Sequence, residues 1–344
     1  MIEIDGSSGE GGGQILRTAV SMSAITGISV KVFNIRAGRD KSGLMPQHFT
    51  AVQAVADLCG AKVDGLTLSS DKIVFSPGKT RGGKFNIDVG TAGSVTLVLQ
   101  SLMLPAFFAP AKVSLVVQGG TDVKWSPSID YLRNVFLPLI GKFGCCSSVE
   151  LAGRGYFPAG GGKVISEIMP SKLQGIELLK QGKIKSVKGL SHAHLGLKGA
   201  KVAERQVKGS EYAIRNDLLD KGFPGGLAIA REYVNTPSYG SGITLWAETE
   251  NSVIGSDALG EKGRRAEDVG IEAGRKLIED ISSNAALDRY MADQIIPYLA
   301  IAGGTVSVSE ISGHARTNID VVNMFGCDVS IKGRRISSNP RPMR

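Results

Sequence analysis

The sequence predicts an α/β (α+β) chain. One unit of about 80 to 90 residues occurs three times in a large domain, and a small α/β domain is inserted in the third copy. Three observations carry this. First, three apolar helices end in a glycine beside a cysteine, at Cys59-Gly60, Gly144-Cys145 and Gly326-Cys327, each before a β-rich stretch. Cys59 to Cys145 spans 86 positions and Cys145 to Cys327 spans 182, an excess of 96. Second, Gly38, Gly120 and Gly313 each close a β-rich run that follows an apolar helix. Their spacings are 82 and 193, an excess of 111. Third, residues 184–284 differ in texture from the rest and account for the excess.

Taken in order, Gln14–Ile25 reads as a helix and Ser29–Ile35 as a strand. Gln47–Leu58 places Phe49, Val52, Val55 and Leu58 on one helical face. Strands are predicted around Lys72–Phe75 and Phe85–Val89, so that two helices cover one face of a small mixed sheet. Val95–Val117 is the most apolar run, but Gln100, Ser101, Pro105, Pro110 and Lys112 interrupt it. It reads as a buried helix and then a strand, with no membrane span. In the insertion, Val202–Leu219 and Ala266–Ile281 read as helices and Gly242–Thr249 as a strand. Phe223–Gly226 and Tyr239–Gly242 read as loops. The domains are therefore 1–183 with 285–344, and 184–284.

The chain has 344 residues, 42% of them apolar and 21% charged, which excludes a disordered, fibrous or collagenous protein. The four cysteines lack metal-ligand spacing and read as small buried thiols of a reducing compartment. The start Met-Ile-Glu-Ile-Asp does not resemble a secretory signal, so a cytoplasmic location is expected. The net charge of +8 points weakly toward a polyanionic partner. Part of it, Lys332, Arg334, Arg335, Arg341 and Arg344, reads as a solvated tail.

Gly9-Glu10-Gly11-Gly12-Gly13-Gln14 precedes a helix, where free backbone amides suit an anionic oxygen and Glu10 offers a carboxylate to a divalent cation. It is neither a Walker A motif nor G-x-G-x-x-G. Arg17, Arg36 and Arg39 follow, residues suited to forking onto phosphates, with Lys41 beside them. His48 stands at a helix start. His192 and His194 read as surface or local structural residues. His314 lies between a strand and a helix, at the loop position where the first copy has Arg39 and the second Asp122. There it suits a base, a ligand or a nucleophile.

Five segments resemble the RNA 3′-terminal phosphate cyclase family. They are Asp5-Gly6 through Arg17; Ile35–Arg39 with Gln47-His48; Arg154-Gly155-Tyr156-Phe157-Pro158-Ala159-Gly160-Gly161-Gly162; Tyr290–Gln294; and His314 with Thr317-Asn318-Ile319. The resemblance implies three repeats of two helices on a four-stranded sheet, plus an inserted small α/β domain. It also implies an ATP-dependent ligase and nucleotidyltransferase that turns RNA 3′-phosphate ends into 2′,3′-cyclic phosphodiesters. His314 would be the nucleophile and would carry AMP before the RNA does. Glu10 would hold Mg²⁺ or Mn²⁺. Tyr290 and Pro127 would sandwich adenine, with Asp293, Gln294 and Gln100 lining the nucleotide site. Arg17, Arg36, Arg39, Gln47 and His48 would face phosphates. Rival readings are a ribosome-assembly relative lacking the nucleophilic histidine, an enolpyruvyl transferase of shared architecture, and a passive RNA-end binder. His314 argues against the first, and the Arg154–Gly162 segment against the second.

Overall fold

The computed structural model describes residues 1–218 and 226–341. The first repeat runs β1 (Ile2–Asp5), α1 (Gly13–Thr26), β2 (Val30–Phe33), α2 (Pro46–Cys59), β3 (Lys62–Asp64) and β4 (Ile73–Ser76). The second runs β5 (Gly83–Asp88), α3 (Val95–Phe107) and β6 (Val113–Gly119). A helix follows as α4 (Ile129–Tyr131) and α5 (Leu137–Gly141), joined by a wider turn over Leu132–Phe136. β7 (Cys146–Gly153) and β8 (Gly162–Met169) complete it. The third opens with β9 (Ile176–Leu178). The chain then departs through β10 (Ile184–His194), α6 (Val202–Leu218), β11 (Gly226–Val234), β12 (Ser241–Thr249), β13 (Val253–Leu259) and α7 (Ala266–Ser282). It returns as α8 (Met291–Gln294), α9 (Ile296–Ala302), β14 (Gly304–Ser307), α10 (Gly313–Met324), β15 (Asp328–Lys332) and β16 (Arg335–Asn339).

The repeat is visible in the sheets, ordered β1-β2-β4-β3, β5-β6-β8-β7 and β9-β14-β16-β15. In each, the first two strands are parallel and the other pairs antiparallel. The phase differs from the sequence reading in one respect. Phe85–Val89 opens the second repeat, because β5 pairs in parallel with β6 and not with β4. The glycines that marked the period lie in the left-handed region, with φ of 60° at Gly60, 85° at Gly144 and 80° at Gly326. That is the conformation that ends a helix at low cost only for glycine.

Strands β2, β4, β6 and β8 alternate buried and more exposed residues, so each sheet covers the core with one face. The helices lie inward. Every residue of α3 except Gln100 is buried. Ser21 on α1 donates to the Ser101 carbonyl of α3 at 2.6 Å, and Thr18 to Asn318 of α10 at 2.8 Å. Helices from all three repeats therefore converge on one another, and so do their N-terminal loops.

The segment between β9 and α8 forms a sheet of its own, β11-β10-β12-β13, against which α6 and α7 pack. Its apolar cluster, with Val187, Ile214, Ile243, Leu245 and Leu277, is separate from the main core. Part of the expected loop Phe223–Gly226 lies outside the described residues, and Gly226 begins β11. The end of the expected helix at Leu219 lies outside them as well.

Two expectations fail locally. The basic C-terminal segment is largely a hairpin, since Lys332 pairs with Arg335 across β15 and β16; Arg344 lies outside the described residues. Cys146 is exposed, and Cys327 half-buried, so the thiols are not uniformly internal; all four cysteines are free. Among the described residues no helix is long and apolar enough to cross a membrane.

Candidate active site

The loop into α1 approaches the start of α10. Gly9 and Gly11 both have φ of 55°, and a Cβ on Gly9 would strike the Thr317 hydroxyl. That hydroxyl accepts from the Glu10 amide at 3.3 Å and donates to the Gly313 carbonyl at 2.9 Å. Gly13 is required by close approach, because a Cβ there would overlap the His48 ring.

His314 occupies the first turn of α10, which Ser312 caps by accepting from the Ala315 amide at 3.1 Å. Burial lowers its pKa from the usual 6.5. Glu10 opposes this, and Arg39 and Arg17 add to it. The imidazole is therefore neutral at pH 7, the form that has a free lone pair. The Glu10 carboxylate lies against Gly313, the residue before His314, and its charge acts on the imidazole. Arg39 donates to the Glu10 carbonyl at 2.7 Å and lies 3.8 Å from its carboxylate.

Arg17 projects from α1. Burial lowers its pKa to about 10 against the pull of Asp293, so it stays cationic. No side-chain hydrogen bond engages it among the described residues. Arg36, at a left-handed φ of 56°, reaches the Gly43 carbonyl at 3.4 Å. His48 is buried, and burial with Arg17 and Arg36 pushes its pKa down to about 3. It is a neutral ring whose Nδ1 lacks a partner. Gln47 accepts from the amide of Ser94, the N-cap of α3, at 3.2 Å and so ties the first repeat to the second.

A second group lines the other side. Gln14 donates to Asp293 at 2.7 Å, and Asn318 to the Asp293 carbonyl at 2.9 Å. Burial raises Asp293 to about 6 despite Arg17 and Gln14. Gln100, the one residue of α3 outside the core, donates to Gln294, which donates to the Tyr290 carbonyl at 2.8 Å. Tyr290 meets the edge of Tyr131 at 6.2 Å between centroids, and the Lys276 ammonium of α7 stands 5.8 Å from its ring. The Pro127 carbonyl accepts from Thr96, one helical turn before Gln100, at 2.8 Å. Thus α1, α2, α3, α8, α10 and the loops after β2 and β6 supply the side chains of the site.

The glycine-rich segment between β7 and β8 does different work. Arg154 is buried and forks onto Asp122 at 3.1 Å and Asp130 at 2.7 Å, while also reaching Glu232 of the insertion at 3.1 Å. Tyr156 meets His192 Nδ1 at 2.8 Å, and His192 Nε2 lies 3.4 Å from Asp122. His192 is thus fully buried rather than superficial, because it closes this network; His194 accepts from the Gly196 amide and stacks on Tyr239. Sequence reading missed the network, and Asp122 at the loop matching His314 was its only signal. Oxygens of Asp122 and Asp130 and a nitrogen of His192 lie within 4.8 Å of one another. Arg154 already supplies their counter-charge, so the cluster reads as an ion-pair network.

The family described as RNA 3′-terminal phosphate cyclase matches residues 8–331. The chain belongs to that family. RNA 3′-terminal phosphate cyclases of Methanopyrus kandleri and Pyrococcus furiosus are each 46% identical to it, and each alignment covers 97% of this chain and 96% of the relative. That of Ignicoccus hospitalis is 46% identical over 100% of this chain and 98% of its own. Among solved structures, the enolpyruvyl transferase NikO of Streptomyces tendae aligns at 14% identity over 48% of this chain and 33% of its own. Its TM-score of 0.29 is too low to bear on the fold. Membership of the cyclase family gives the cleft around His314 its chemical context.

Proposed function

We propose that the protein is an ATP-dependent RNA 3′-terminal phosphate cyclase acting through a histidine–AMP intermediate. A neutral His314 nitrogen attacks the α-phosphorus of ATP; an N–P bond forms, the bond to pyrophosphate breaks, and pyrophosphate leaves. An oxygen of the RNA 3′-phosphate then takes the adenylyl group and frees the imidazole. The vicinal 2′-hydroxyl attacks the activated phosphorus, closes the 2′,3′-cyclic phosphodiester and expels AMP. A phosphomonoester lacks a good leaving group, and adenylation supplies one; ring closure is then intramolecular.

The observation that carries this reading is the neutral His314 beside Glu10, within the field of Arg17 and Arg39. Arg17, Arg36 and Arg39, with Gln47 and His48, are assigned to the phosphates of ATP or of the RNA end. Tyr290, Pro127, Gln100, Asp293 and Gln294 are assigned to the nucleotide. Glu10 would hold Mg²⁺ or Mn²⁺. One accessible carboxylate suits such an ion when substrate phosphates supply further oxygens, and the ion would offset triphosphate charge. The chain is read as a large domain, 1–183 with 285–344, and an inserted domain, 184–284, which the separate sheets and cores support. The free thiols accord with a cytoplasmic setting.

The test is incubation with Mg²⁺ and ATP labelled at the α-phosphate, wild type beside His314→Ala. An acid-labile, alkali-resistant label on wild type alone is expected. A wild type that stays unlabelled with either metal, while folded, removes the proposal.

A further inference from the structure

Trp125 is the most exposed large apolar side chain among those described, at 94% of its full accessibility. A lone exposed aromatic is ordinary on a protein surface. This one also has φ of 63°, a left-handed conformation that a bulky side chain adopts only when its surroundings impose it. The imposing contacts are all present. Val123 is buried, and its carbonyl accepts from Ser126 at 2.9 Å. The Pro127 carbonyl is held by Thr96. Ser128 caps α4, and its amide donates to Asp257 at 3.0 Å. The loop is pinned on both sides of an indole that touches solvent, so the side chain is presented rather than left over.

Its place in the cleft follows from the same bonds. Two residues on, Pro127 joins Thr96, and one turn of α3 later Gln100 joins Gln294 and Tyr290. Trp125 therefore stands at the rim of the site. On its other flank, Lys124 pairs with Glu261 at 2.9 Å, which brings the insertion's turn before α7 to this rim. That turn carries Lys262, exposed and without an ion-pair partner among the described residues, and Arg265, exposed and only 3.9 Å at closest from Glu267. An exposed aromatic face on a pinned loop, beside a free lysine and a loosely paired arginine, is the arrangement that binds single-stranded nucleic acid: bases stack, and phosphates meet the positive groups.

We propose that Trp125 is a stacking platform for a nucleobase of the RNA strand entering the site, with Lys262 and Arg265 serving the adjacent backbone phosphates. This rests on the cyclase reading, which makes RNA the substrate, and extends it by naming where the strand leaves the catalytic cleft.

The protein has two tryptophans, Trp125 and the partly buried Trp246, so Trp246→Phe leaves Trp125 as the sole reporter. Full-length Trp246→Phe protein is titrated, without ATP, with a 3′-phosphorylated oligoribonucleotide carrying a 5′ fluorophore. Anisotropy reports binding, and indole emission reports stacking. Emission is expected to fall in step with anisotropy, and the affinity to weaken as salt rises. Trp125→Ala keeps a Cβ, and with it the backbone constraint, and removes only the exposed ring. It is expected to raise KM for RNA ends about tenfold, with kcat within about twofold, and Trp125→Phe to restore most of the loss. Saturating anisotropy with unchanged indole emission overturns the proposal. So does quenching by ATP alone together with slowed self-adenylation of Trp125→Ala, which would place adenine on the ring. The binding arm needs no adenylation, so failure of the histidine–AMP reading shows separately, as absent labelling of wild type.

Discussion

The carboxylate of Glu10 fills the space that a side chain on Gly313 would need, so the residue before His314 and the acidic residue before α1 fit only as a pair. Gly313→Ala would push Glu10 out of line with the imidazole while leaving the apolar core untouched. Self-adenylation is expected to fall at least about tenfold, the scale on which misplacing a group beside a reacting centre acts, with thermal stability nearly unchanged. Labelling rates and Tm, measured side by side, check this. Equal labelling by Gly313→Ala and wild type would show that the Glu10–His314 relation has no role.

The pH dependence has a definite sign. A nucleophilic imidazole acts in its neutral form, so the acid limb of the adenylation rate follows the His314 pKa, which burial sets below 6.5. Glu10 raises that pKa, and Arg39 lowers it. Glu10→Gln is therefore expected to move the acid limb to lower pH, and Arg39→Gln to higher pH, whatever each does to the plateau. Full pH–rate profiles of the three proteins read this directly. Limbs that move in the reverse directions would mean that another group sets the profile.

The repeats were legible because their markers are local. A glycine ending a helix is required by φ alone, so Gly60, Gly144 and Gly326 kept the period visible in sequence. The phase was not legible. Whether Phe85–Val89 closes one sheet or opens the next depends on a partner strand 30 residues downstream, as in Phe85 against Leu115 of β6, and no local pattern encodes that pairing. The site divides in the same way. Glu10, Arg17 and His314 announce themselves by residue type next to glycine-rich turns. The Asp122–Arg154–His192 network does not, because its members come from two loops of the second repeat and from the insertion and meet only in the folded chain.

Asp293, assigned above to the nucleotide, also bears on stability. Burial raises its folded-state pKa to about 6, against 3.8 for the free group. The folded protein then holds a proton that the unfolded chain has released, so this contribution is complete below about pH 4 and is lost as pH rises through about 6. Two units correspond to roughly 3 kcal/mol at most. Asp293→Asn keeps an acceptor for Gln14 and cannot ionise. Relative to wild type it is expected to gain stability between pH 4 and pH 8. Denaturant unfolding of both proteins at the two pH values supplies the difference, and a gap that stays constant or narrows counts against the assignment.

Arg154 provides the strongest test of what the glycine-rich segment is for. Its guanidinium is buried between Asp122 and Asp130 and also reaches Glu232 across to the insertion. Burial acts to raise the Asp122 pKa, and His192 and Arg154 hold it below the usual carboxylate range, so its charged form depends on the buried cation. Arg154→Ala would leave two buried carboxylates facing one another, at a cost of about 3–5 kcal/mol. Arg154→Lys keeps the charge but cannot fork onto both acids, and is expected to recover only part of the loss. If the segment instead contacted substrate, both variants would unfold like wild type and lose activity alone. Urea unfolding of the two variants separates these outcomes, with a lower midpoint for both, larger for alanine, expected from the network.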